Sequence, residues 1–257
     1  MFASQRINLI KQILLDEKQV NITSLALRLN VSDVTVRKDL DVLEKEGFLK
    51  KVHGGAILTE EEHQNPVEFV SNVSSYAEKK NIAGLAANLL QDSTSLFLGQ
   101  GTTCKIFASD ISRHKNMTVV TNNIDAVTIL MNKVNSVQIL GGDVQETNGT
   151  AFSTGPKTCA DLENMFINQA FISVDCVDIR AGITTNNLYV HEITRKIMEI
   201  SRNVILLADK TKFDHQALHQ IAPLDGLTAV VTNEGIPQEY KDYFFKKDIK
   251  LLTAYGD

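Results

Sequence analysis

Tryptophan is absent from these 257 residues, cysteine occurs only three times and proline four times. No apolar run approaches the ~18 to 20 residues that a membrane-crossing helix needs. Cys104, Cys159 and Cys176 are odd in number and widely scattered, which fits neither a disulfide framework nor a zinc site with paired ligands. Free thiols are expected, with no metal and no cofactor. Residues 1–15 lack the apolar core of a secretory leader, so a cytoplasmic protein is expected. A chain with 43% hydrophobic and 22% charged residues belongs to the globular class, and its length accommodates two domains.

The net charge of −5 argues against a nucleic-acid protein only if it is spread evenly, and it is not. Residues 1–57 carry nine Lys and Arg against seven Asp and Glu, while the remainder carries seventeen against twenty-four. Any phosphate binding by the first segment depends on basic side chains gathered on one surface.

Ile7, Ile10, Ile13 and Leu14 recur at helical spacing and predict a first helix over residues 4–15. Asn21 and Thr23 offer N-cap side chains ahead of Leu25, Ala26 and Leu29, and Asn30 suits the left-handed conformation that closes a short helix. Ser32 caps a third helix in which Val36, Leu40 and Leu43 share one face, ended by Gly47. Residues 48–57 read as two short strands around Gly54 and Gly55, a hairpin wing. Residues 58–75, acidic at the start and carrying Pro66, are assigned to a linker. From residue 76 to 257, helices alternate with apolar strands, the sign of βαβ units and a largely parallel sheet. Helices are expected over 78–90, 124–131 and 188–201, and strands over 95–98, 117–121, 136–140, 169–174, 204–208 and 229–232.

Residues Val31 to Leu40, Leu43-Glu44 and His53-Gly54-Gly55-Ala56 resemble the recognition helix and wing of the DeoR-type repressors of sugar-catabolic operons. The resemblance continues through Gly101-Thr102-Thr103, Thr121-Asn122-Asn123, Gly141-Gly142, Gly155, Asp175, Gly182 to Thr185, and Asp209 to Phe213. It implies an α/β protein: an N-terminal winged helix-turn-helix and a larger C-terminal domain related to ribose-5-phosphate isomerase. The implied partners are double-stranded operator DNA, a phosphorylated sugar effector and further copies of the chain, as a dimer or tetramer. Two positions depart from the family pattern, Cys176 after Asp175 and Gln100 before the Gly-Thr-Thr turn.

In such a head, Ser32, Thr35, Arg37 and Lys38 would face DNA. Arg37 is suited to guanine and Lys38 to a phosphate; the plainer alternative is local pairing with Asp33 or Asp41. In the wing, Lys50, Lys51, His53 and Gly54 complete the expected DNA-contacting set, the bare backbone of Gly54 and Gly55 allowing close approach.

The strand ending before Gly101, Thr102 and Thr103 would place free amides and hydroxyls at a helix N-terminus, where an anion is stabilised. Thr121, Asn122 and Asn123, and Gly141 and Gly142, offer further turns at the same sheet edge, and Lys212 a cation. Asp175 either accepts from sugar hydroxyls or caps a loop. His191 and Glu192 are expected at the surface or an interface. No catalytic residue is expected. The alternative is a sugar-phosphate isomerase, which needs a carboxylate base and a lysine to stabilise the enediolate. The loop from Arg180 to Asn187 contains no lysine. RNA binding lacks the stacking aromatics it would require.

Overall fold

The computed structural model describes residues 6–7, 9–11, 13–14, 19–45, 48–52, 54–58, 66–91, 95–111, 116–147 and 149–255. It divides into two compact units, Met1–Ser74 and Ser75–Asp257.

In the first unit the described positions between 6 and 14 are helical. Then come β1 (Gln19–Asn21), α1 (Ile22–Leu29), α2 (Asp33–Lys45), β2 (Leu49–Val52) and β3 (Gly55–Leu58). Asn21 Oδ1 accepts from the amides of Thr23 and Ser24, satisfying two donors that the first turn of α1 leaves free. Asn30 ends the helix at φ 52°, ψ 49°, the left-handed conformation that asparagine tolerates. Ile10, Leu14, Leu25, Val36, Leu40 and Leu43 are buried together, each contributing about 1.5–3 kcal/mol relative to exposure. The strands form an antiparallel sheet in the order β1-β3-β2. The strand β1 was not anticipated, and it explains Gly55: a Cβ there would lie 2.0 Å from the carbonyl oxygen of Val20. Gly55 serves strand pairing, while Gly54 turns the hairpin at φ +80°. Gly47 and His53 lie outside the described residues.

The span expected to be a linker is partly helical, because α3 runs from Pro66 to Ala86. Proline is favoured at a helix start, and only Gly84 interrupts the run of helix-compatible residues that follows it. The rest of the second unit comprises β4 (Ser95–Leu98), α4 (Thr102–Ile111), β5 (Thr118–Thr121), α5 (Ile124–Leu130), β6 (Ser136–Ile139), β7 (Asp143–Thr147), β8 (Thr150–Thr154), α6 (Pro156–Asp161), β9 (Ile167–Ile172), β10 (Cys176–Asp178), β11 (Gly182–Thr185), α7 (Leu188–Ile200), β12 (Ser201–Leu207), β13 (His219–Ala222), β14 (Ala229–Asn233), α8 (Gln238–Lys246) and β15 (Lys250–Ala254).

Seven of these strands form one parallel sheet in the order β15-β14-β12-β9-β4-β5-β6. Successive residues serve opposite faces: Leu96 and Leu98 join one buried cluster with Phe107, Phe171 and Leu207, whereas Phe97 joins the other with Ile172, Leu206 and Tyr240. Both faces are therefore apolar, which is why these strands read as continuous hydrophobic runs. The chain progresses outward one way through β4, β5 and β6, and the other way through β9, β12, β14 and β15. The reversal between β4 and β9 is the topological switch point, where crevices form beyond the strands' carboxyl ends. The hairpin β7–β8 and the antiparallel sheet β10-β11-β13 were not expected from the sequence. No described helix is long and apolar enough to cross a membrane. All three cysteines are free, and burial pushes the Cys104 thiol up to about 12.

Candidate functional site

In the first unit Ser32 caps α2: its carbonyl accepts from the amides of Thr35 and Val36, and its hydroxyl bonds that of Thr35 at 2.9 Å. The two hydroxyls therefore hold each other at the helix start. Arg37 and Lys38 are exposed on the next turn, and among the described residues neither has an ion-pair partner. Asp41, one of their potential local partners, is instead paired with Lys51 of β2. Glu44 receives the Lys51 amide at 2.8 Å and lies 3.7 Å from its ammonium. These bonds, Asp41 first, hold the Lys51 ammonium above its ordinary pKa. Lys51 thus braces the wing against α2, whereas Lys50 is exposed and has no ion pair among the described residues.

In the second unit the carboxyl ends of β9, β4, β5 and β6 stand side by side, about 4.8 Å from one strand to the next. Gly101 turns the chain from β4 into α4 at φ +101°, and a Cβ built on it would lie 3.4 Å from Ser173 Cβ, just past β9. The turn therefore lies directly across the switch point. The first helical bond back to Gly101, from Lys105 N, is 3.0 Å, so the amides of Thr102, Thr103 and Cys104 precede the helical ladder.

The neighbouring turn is committed to structure. Thr121 Oγ1 donates to Leu98 O at 2.6 Å and accepts from Asn123 N. Asn123 Nδ2 donates to the carbonyls of Gly99 and Gly101, while its Oδ1 caps α5 through Ala126 N. Asn122 Nδ2 donates to Gln100 Oε1 at 3.0 Å and to Ser153 O at 3.2 Å. All three side chains are buried, and they fix the shape of the Gly99–Gly101 turn.

Gly141 and Gly142 are likewise engaged. The Gly141 amide donates to Asp161 Oδ2 at 2.7 Å, and its carbonyl accepts from Thr158 Oγ1 at 2.6 Å. Lys157, and after it this amide, hold the Asp161 carboxyl below the usual carboxylate range. A Cβ on Gly142 would lie 2.2 Å from Thr158 Oγ1. An internal carboxylate thus occupies the anion-binding position of this turn.

Asp175 takes the loop-capping role: Oδ2 accepts from Thr185 Oγ1 at 2.8 Å and from Asn186 N at 3.0 Å. Lys212 ends the short turn Lys210–Lys212 beyond β12, capped by Asp209. Its ammonium acts on that of Lys79 of α3, a residue the sequence reading missed. Burial lowers the Lys79 pKa most, and the repulsion of Lys212 opposes the attraction of Asp209. No periodicity marks Lys79, because only the fold brings α3 to the end of β12. His191 is half-buried and Glu192 exposed; the His191 ring lies 6.0 Å from that of His219.

Residues 6–62 match the DeoR-like helix-turn-helix domain, and residues 74–234 match the DeoR C-terminal sensor domain. The chain is 31% identical over 249 residues to the HTH-type transcriptional regulator IolR of Bacillus subtilis (strain 168), covering 97% of this chain and 98% of that protein. It is 30% identical over 255 residues to the lactose phosphotransferase system repressor of Staphylococcus aureus (strain N315), covering 98% and 96%. Among solved structures, ribose 5-phosphate isomerase A from Methanocaldococcus jannaschii aligns with a TM-score of 0.40 and 15% identity, over 54% of this chain and 55% of that one.

Proposed function

Because this chain belongs to the DeoR family of helix-turn-helix transcriptional regulators, we propose that it is a cytoplasmic repressor of a sugar-catabolic operon, released or engaged by a phosphorylated sugar. The N-terminal DNA-binding domain (1–57) reads operator DNA with Ser32, Thr35, Arg37 and Lys38, and grips the phosphates with Lys50. The sensor domain (76–257) holds the effector, and residues 58–75, the last ten of them the start of α3, join the two. Two or four copies present paired heads to operator half-sites, and the effector shifts their equilibrium by binding one arrangement more tightly. A coupling of about 1–3 kcal/mol would change operator affinity roughly 5- to 150-fold.

The observation that carries the effector assignment is the Gly101 turn lying across the switch point from Ser173, with the leading amides of α4 beside it. Lys212 and Lys79 supply positive charge at the end of β12. An isomerase reading has less support: Asp175 is occupied in capping its loop, and residues 180–187 offer no lysine. Thermal denaturation with a panel of aldose and ketose monophosphates tests the assignment, since a ligand that binds the folded state raises its stability by RT ln(1 + [L]/Kd). Selective stabilisation by one sugar phosphate, accompanied by a change in operator affinity, is the expected result. The assignment fails if no member of the panel stabilises the protein.

A further inference from the structure

Gln100 is a residue whose side-chain donors have no acceptor among the described residues. Asn122 settles the matter: both of its amide hydrogens are donated, to Gln100 Oε1 at 3.0 Å and to Ser153 O at 3.2 Å. Exchanging its oxygen and nitrogen would set an acceptor against the Ser153 carbonyl, which can only accept, so the orientation is fixed. That in turn fixes Gln100, whose oxygen faces Asn122 and whose nitrogen faces away. Gln100 is only 8% exposed, yet among the described residues nothing accepts from its Nε2. Nor is Nε2 among the solvent-sealed polar atoms without a partner, a set that does include Asn122 Oδ1. A largely buried side chain therefore carries two free N–H groups to an accessible point, one residue before the Gly101 turn and the leading amides of α4. The amides that follow in the chain, those leading α4, precede the helical ladder and are donors as well.

We propose that Gln100 Nε2 is an additional hydrogen-bond donor to the phosphate of the bound ligand, and that Asn122 is the positioning residue that aims it. This rests on the effector reading of the crevice and narrows it. The glutamine turns the anion nest into one with a neutral side-chain donor of set direction, so the ligand atom opposite must be an acceptor.

Calorimetry on the full chain, with inorganic phosphate and with the sugar monophosphate that stabilises it most, tests the proposal. Gln100→Met keeps the volume and removes the donors; phosphate affinity should fall roughly ten- to hundredfold, as for a lost hydrogen bond to a charged group. Gln100→Glu should lose more, because it sets a carboxylate against the anion. Asn122→Ser should weaken phosphate binding in the parent but not in the Gln100→Met background, a coupling that a general structural defect would not produce. Melting without ligand shows whether each variant is folded. Equal affinities for the parent and for a folded Gln100→Met overturn the proposal and leave the effector site standing. A loss seen with the sugar phosphate but not with inorganic phosphate also overturns it, by assigning the contact to the sugar. If neither inorganic phosphate nor any sugar phosphate binds the parent, the effector reading itself fails.

Discussion

Arg6 forks onto Asp39 across 33 positions of sequence, Nε to one carboxylate oxygen and Nη2 to the other at 3.1 Å. Asp39 is 4% exposed, lying in mid-helix among Val36, Leu40 and Leu43, so the fork ties the first helix to α2. The hydrogen bond to Asp39 is the main reason that the guanidinium is held above its ordinary pKa. A carboxylate left buried without its partner destabilises the fold. Arg6→Ala is expected to lower the melting temperature of the head by several degrees and to speed amide exchange along α2. Arg6→Lys should recover only part of this, because an ammonium cannot form the planar fork. Unchanged exchange in both variants would show that the pair does not hold the two helices together.

Lys50 and Lys51 look interchangeable in sequence but alternate across β2. Lys51 is held by Asp41 and Glu44, so Lys50 should carry the phosphate contact. Lys50→Ala is expected to weaken binding to operator and random duplex alike and to lower the salt slope by about one unit. Lys51→Ala should leave the slope closer to the parent value while destabilising the wing. Arg37→Ala should cost about 1–3 kcal/mol on operator and less on random DNA if it reads a base. Fluorescence titrations across salt concentrations distinguish these outcomes, and a larger slope change for Lys51→Ala than for Lys50→Ala would reverse the assignment.

The first three helices, the hairpin and the main strands were legible because each rests on a local signal. Asn21, Asn30 and Ser32 announce helix ends, and the continuous apolar run around Phe97 announces a doubly covered strand. Several boundaries shifted by one to three residues: the strand expected at 169–174 spans Ile167–Ile172. What stayed hidden depends on distant partners. The strand β1 is three residues long and exists through pairing with β3. The Gly141 turn reads as an open anion nest until Asp161 is seen to fill it. Thr121, Asn122 and Asn123 read as ligand groups, although their side chains build the neighbouring turn. The helical start at Pro66 was masked by the acidic residues before it.

The Asp161 carboxylate provides a pH test of the Gly141 turn. Its folded pKa lies below the usual range, so the stabilisation it provides is present above the unfolded value of about 3.9 and is lost as pH falls through the folded value. Denaturant unfolding at a series of pH values should therefore show a shallower acid loss for Asp161→Asn than for the parent. Inorganic phosphate affinity at pH 7 should be unchanged in this variant if Gly141 lies outside the ligand site. Tighter binding would mean that the internal carboxylate competes for the same amide.

Coupled assays with pentose and hexose phosphates are expected to show no isomerisation. The motivation is the absence of lysine from residues 180–187 together with the commitment of Asp175 to Thr185 and Asn186. Turnover that disappears in Asp175→Asn, with the variant still folded, would restore the enzymatic reading.

Gly101→Ala separates ligand binding from DNA binding. An added Cβ meets Ser173 at 3.4 Å, ordinary contact, but the φ of +101° is one that side-chain-bearing residues rarely adopt. The variant either keeps that strain, at about 1–3 kcal/mol, or moves the backbone that sets the direction of the Thr102 and Thr103 amides. A small loss of melting temperature without ligand is expected, with a much larger loss of phosphate affinity. Operator affinity in the absence of ligand should match the parent, since the head is a separate compact unit. If the ligand releases DNA, the variant stays bound in its presence; if the ligand promotes binding, the variant fails to respond. An unchanged dissociation constant for phosphate in calorimetry would place the anion away from this turn.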